Sequence, residues 1–158
     1  MKKVTIVLSG IFLLGIIALF IYFVTGVSAT YPAIKKYRYK GTLNEFIKDI
    51  KKLSNNRSNL NVDIIDTVGN KNNGDAIYLN IETIDKLDDV EYNLRCESSN
   101  SNNVLIQTAI SLVGAYDKKR NIGGYSKEAK GVKMLTEKFD IEVINLLKGN
   151  QKGKISSL

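Results

Sequence analysis

The sequence predicts an α+β protein: an N-terminal transmembrane helix, then a two-layer sandwich of helix, four-stranded antiparallel meander and helix. Three observations carry this reading. Residues Val4–Val24 form one uncharged apolar run. Behind it, apolar residues recur first at three- and four-residue spacing and then in strict alternation. Turns rich in Asn, Ser and Gly separate the alternating stretches.

The apolar run would span roughly 31 Å as a helix, close to the hydrocarbon thickness of a bilayer. Residues 1–24 therefore read as a single membrane anchor, contacting lipid through residues 4–24. A cleaved signal peptide is the competing reading. Lys2 and Lys3 would be its basic start and Val27-Ser28-Ala29 its small-residue cleavage site. The run is longer than the apolar region of such peptides, which favours an uncleaved anchor.

Residues 25–41 read as a juxtamembrane linker, because Pro32 stops any helix continuing from the membrane. Lys35, Lys36, Arg38 and Lys40 then form a membrane flank opposite Lys2 and Lys3, with Tyr31, Tyr37 and Tyr39 among them. Lys2 and Lys3 lie directly against the apolar run, so the positive-inside rule places the N-terminus inside and the domain outside the cytoplasm. The usage of Asn, Lys and Ile suits a bacterial source, and the expected location is a bacterial inner membrane.

Residues 42–149 read as the soluble domain. Thr42 and Glu45 make a capping-box pattern, and Leu43, Phe46, Ile47, Ile50 and Leu53 follow on one helical stripe. The helix is expected to end near Ser54–Asn56. Four alternating stretches come next: Leu60 to Val68, Ile77 to Glu82, Val90 to Glu97 and Val104 to Val113. The residues from Asp117 to Tyr125 read as a loop. Ser126 is the expected cap of a last helix running to about Leu147, and residues 150–158 read as a disordered polar tail.

Composition excludes several functions. The net charge is +7, yet all six basic residues of the first forty lie there without an acid, so the rest of the chain is nearly neutral. That distribution marks a membrane flank and not a nucleic-acid footprint. The chain has no His, which removes Ser/His/Asp and Cys/His catalysis and the commonest metal ligand. Cys96 is the only cysteine and falls on the apolar face of its strand, as a small buried hydrophobe does. The acids Asp85, Asp88, Asp89 and Glu91 lack the spacing of a calcium loop and read as a solvated connection. No cofactor, metal site or catalytic residue is expected.

Two features point to binding. Lys118, Lys119, Arg120 and Tyr125 surround the Gly123-Gly124 turn, where an anion would find cations beside a helix start. Residues 60–97 also carry a net −6 and residues 117–158 a net +5, either as internal pairing or as a polarity that orients a charged partner. The resulting expectation is a tethered protein-interaction module without enzymatic activity, either an envelope assembly component or a toxin-neutralising immunity protein. A module holding a ligand or lipid in an apolar cavity between sheet and helices is the alternative.

Overall fold

A computed structural model describes residues 31–70, 74–99, 107–150 and 154–158. The expected anchor, with Lys2 and Lys3, lies outside the described residues. Among the described residues no helix is long and apolar enough to cross a membrane.

The elements run in the order β1 (Lys35–Lys40), α1 (Leu43–Asn55), β2 (Leu60–Asn70), β3 (Gly74–Ile84), β4 (Asp89–Ser99), β5 (Gln107–Asp117), β6 (Ile122–Gly124), α2 (Val132–Phe139), a π-helical turn (Asp140–Ile144), α3 (Asn145–Asn150) and β7 (Ile155–Ser157). All strand pairs are antiparallel. The order across the sheet is β2-β3-β4-β5-β1-β7, and β6 pairs with the far half of β5. The class is α+β, as expected, but the sheet has seven strands and not four.

The three extra strands come from segments read as linker, loop and tail. Residues 35–40, expected as linker, form β1 between β5 and β7. Tyr37 and Tyr39 alternate there with Lys36, Arg38 and Lys40, a period-two pattern whose apolar members are tyrosines. Both tyrosines are buried. Ile155, in the expected tail, is buried where β7 closes the sheet on β1.

Helix α1 forms as its capping box dictates. The Thr42 hydroxyl accepts the Glu45 amide at 3.2 Å, and the Glu45 carboxylate accepts the Thr42 amide at 2.9 Å. Its buried stripe is Leu43, Phe46, Ile50 and Leu53. Because α1 joins β1 to the distant edge strand β2, it must cross one face of the sheet, and it packs on β2, β4 and β5.

The last helix begins five residues later than expected, with Gly131 and not Ser126 at its N-cap. Ser126 does not cap it; its hydroxyl engages Glu128 in a turn. Gly131 precedes Val132 at φ 83°, a left-handed conformation that glycine tolerates, with Ile122 packed closely over it. At Asp140–Ile144 the helix widens into a π turn, and the Asn145 amide reaches back to the Asp140 carbonyl. The wider turn buries Val143 and Ile144 as neighbours while leaving Ile141 exposed.

Helices and sheet meet over a filled layer. Phe139 lies between Tyr37 and Tyr92, at ring distances of 5.8 and 4.9 Å, and Phe46 packs edge-on against Tyr39 at 5.4 Å. Leu79, Ile81, Leu94, Cys96, Ile110 and Leu112 complete it. The β-bulge at Val113, opposite Asn93/Leu94, resets the alternation so that Ala115 and Asp117 stay on the helix side.

Candidate functional site

Alternation puts every second residue of the same strands on the other face, which none of the described helices covers. On β1 these are Lys36, Arg38 and Lys40, all exposed. On β5 they are the smaller Ala109 and Ser111; on β4, Glu91, Asn93, Arg95 and Glu97; on β3, Tyr78, Asn80 and Glu82; on β2, Asn61, Asp63 and Asp66. One row runs Lys36, Ser111, Arg95, Tyr78, Asp66 across five strands. The surface is polarised: basic along β1, acidic towards β2.

At one end this face carries tyrosines. Tyr125 lies over Gly114, where a Cβ atom would stand 2.7 Å from the ring. Tyr31 stacks on Tyr125 at 4.3 Å, and Tyr116 meets it edge-on at 5.3 Å. Tyr31, the first described residue, is thereby held near Gly114 by its stack on Tyr125.

The residues expected to gather around an anion go to separate acceptors. Lys118 bonds Glu82 at 2.7 Å and reaches Glu91 at 3.1 Å, and these carboxylates raise its pKa above the ordinary lysine range. The Lys119 ammonium donates to the Asp85 carbonyl at 2.7 Å, closing the β3–β4 turn. Arg120 approaches Asp88 at 2.6 Å and Asp117 at 3.6 Å. Tyr125 belongs to the aromatic stack. Of the expected membrane flank, Lys36, Arg38 and Lys40 share the open face. Lys35 turns to the helix side, 2.5 Å from Asp140, which also accepts the Tyr37 hydroxyl at 2.8 Å.

Sequence reasoning missed a charged corner under the helices. Asp88 binds Lys138 and Arg120, and Glu142 sits 3.4 Å from Lys138. The hydrogen bond from Lys138 holds the Asp88 carboxyl below its ordinary range despite partial burial. Burial alone would lower the pKa of Lys138; Asp88 and Glu142 outweigh it and raise it. Beside them, among the described residues, the buried Tyr92 and Thr83 hydroxyls make no hydrogen bond of ordinary geometry. Burial, then the Glu142 charge, pushes the Tyr92 phenol far above its usual range, so it stays neutral. These contacts join residues up to fifty positions apart, which explains why spacing in the sequence does not reveal them.

Chemistry is sparse elsewhere. Burial pushes the Cys96 thiol well above the range of reactive cysteines. Among the described residues no three acids gather in a way that holds a metal. Among the described residues, one cleft of about 380 Å³ opens to solvent between Lys35, Val132 and Asp140. Another, of about 460 Å³, lies between Tyr116, Lys118 and Ile122. Compared with known proteins, the chain matches no family model, no curated protein and no solved structure.

Proposed function

We propose that this chain is a bacterial single-pass membrane protein, anchored by residues 4–24, whose domain outside the cytoplasm is a protein-interaction module of the envelope. An assembly component and a toxin-neutralising immunity protein both fit this description. The observation that carries the reading is the open face: a sheet surface six strands wide, polarised in charge and uncovered by the described helices. Complementary potentials of this kind select and orient partners. A catalytic role has little support, since His is absent and the most buried carboxylates are tied to Lys138 and Arg120. A ligand module needs an enclosed apolar volume, and in the helix–sheet layer Phe46, Tyr37, Tyr92 and Phe139 occupy that space.

The test is photo-cross-linking in intact cells, with a photoreactive residue placed at Tyr78 on the open face or at Met134 on the helix exterior. A discrete protein adduct from position 78, absent from position 134, is the expected result. Adducts of equal pattern from both positions, or none from either, would overturn the proposal.

A further inference from the structure

One strip of the open face carries charge that no described residue pairs. We infer that this strip, the outward side of β1, binds an extended acidic segment of a partner protein, whose acids stand at alternate positions along Lys36, Arg38 and Lys40. The inference rests on the interaction reading above and names the chemistry of the partner.

Lys36, Arg38 and Lys40 leave the same face of β1 at every second residue, about 7 Å apart, in a row roughly 14 Å long. Among the described residues none of the three makes an ion pair. The other cations that reach this face are already paired: Lys118 meets Glu82 and Glu91, and Arg95 meets Glu97. The register neighbours of the row are uncharged. They are Ser111, Ala109 and Gln107 on β5, and Ser156 opposite Arg38 on β7. None of these neighbours offsets the mutual repulsion of the three cations. An anion laid along the row therefore gains attraction without breaking an existing pair.

The polarity of the sheet decides the shape of that anion. A small anion neutralises only part of the row. Full neutralisation requires negative charges about 7 Å apart, which is the distance between alternate side chains of an extended chain. A broad anionic surface, such as a bilayer or a nucleic-acid duplex, would also cover the acidic strands. β4, with Glu91 and Glu97, lies two strand spacings from β1, about 10 Å away. β2, with Asp63 and Asp66, lies four spacings away, about 19 Å. Like charges on those strands oppose a wide anion. One extended segment is about 5 Å wide and meets only the cations and the uncharged side chains beside them. The short Ala109 and Ser111 give it room, and the Tyr31–Tyr125 stack over Gly114 bounds the strip beyond Ser111.

The experiment uses the full chain in native membranes. A photoreactive residue replaces the exposed Ala109, opposite Arg38, with Met134 on the helix exterior as control. A protein adduct is expected from position 109 and not from 134, and sequencing of the cross-linked partner peptide is expected to find acids at alternate positions. K36E/R38E is expected to lower the yield roughly tenfold, since opposed charges become like charges. A second measurement leaves the strip unaltered and so does not depend on how that variant folds. A synthetic peptide with glutamate at alternate positions among threonines competes for the adduct. An isomer of equal composition, with glutamate at every third position, turns its acids to opposite faces when extended and is expected to compete about fivefold less well. Equal competition by the two isomers overturns the inference. So does a partner peptide without alternating acids, an unchanged yield with K36E/R38E, or an adduct to lipid alone. In each of these cases a protein adduct from position 78 leaves the interaction reading standing. Absence of a protein adduct from both 78 and 109 removes both.

Discussion

The two faces of one sheet, built from alternate residues of the same strands, do opposite work. On β4 the helix side presents Val90, Tyr92, Leu94 and Cys96, and the open side presents Glu91, Asn93, Arg95 and Glu97. The first set is almost entirely removed from water and specifies how the chain folds. The second contributes little to folding and sets what the folded surface attracts. β1 shows the same division within six residues, with Tyr37 and Tyr39 inward and Lys36, Arg38 and Lys40 outward. Substitutions on the two faces are therefore expected to separate stability from association.

The largest loss of stability is expected at Phe139, which fills the space between Tyr37 and Tyr92 and is fully buried. Phe139→Ala removes a whole ring and leaves a cavity, at a cost of about 3–5 kcal/mol. A urea titration followed by far-ultraviolet circular dichroism reads this as a large drop in midpoint. A midpoint near wild type would mean that the helix layer is not packed on the sheet as described.

A smaller effect is expected from Tyr37→Phe, which keeps the ring and removes only the hydroxyl. Burial, and then the bond to Asp140, hold the Tyr37 phenol far above its ordinary range, so it remains a donor throughout the accessible pH range. Asp140 would keep only Lys35, costing about 1–2 kcal/mol. The same titration checks it, and Lys35→Met in combination separates the two partners of Asp140 by double-mutant cycle.

These contacts also mark where the sequence is legible and where it is not. The Thr42–Glu45 capping box, the stripe of α1 and the alternation of β4 are local patterns, and the structure carries all three. β1 was concealed because Pro32 and a run of basic residues look like a membrane flank, while tyrosines took the places of aliphatic residues. β7 is only three residues long and gains its burial from one side chain, Ile155. The start of α2 at Val132 depends on the packing of Gly131 under Ile122, and no cap residue announces it. The charged corner joins three separate segments and has no local signature. The open face was legible as alternating polar positions, but its polarity became visible only once β1 took its place in the sheet.

The charged corner adds a pH dependence on the helix side. Asp88 has a depressed carboxyl pKa in the folded state, so its contribution is present above the ordinary aspartate value of about 4. That contribution is lost as the pH falls through the lower folded value. Asp88→Asn is expected to reduce stability at neutral pH by about 1–2 kcal/mol, less than removal of one partner from a fully buried pair. It is also expected to flatten the loss of stability below about pH 4 relative to wild type. Urea midpoints at neutral and acidic pH measure both quantities; an unchanged acid slope would place the sensitivity in other carboxylates.

The smallest change in stability is expected where the change in association is largest. Lys36→Ala and Arg38→Ala together remove two exposed cations from the open face, and among the described residues neither makes an ion pair. Exposed substitutions of this kind shift stability by no more than about 0.5 kcal/mol. The urea midpoint should therefore match wild type, while the protein photo-adduct from position 78 falls several-fold because rim charges govern encounter and register. A fall in both together would show that β1 serves folding on its two faces alike. Unchanged association with an unchanged midpoint would leave the basic strip without a role in partner binding, and the distinction between the faces would rest on burial alone.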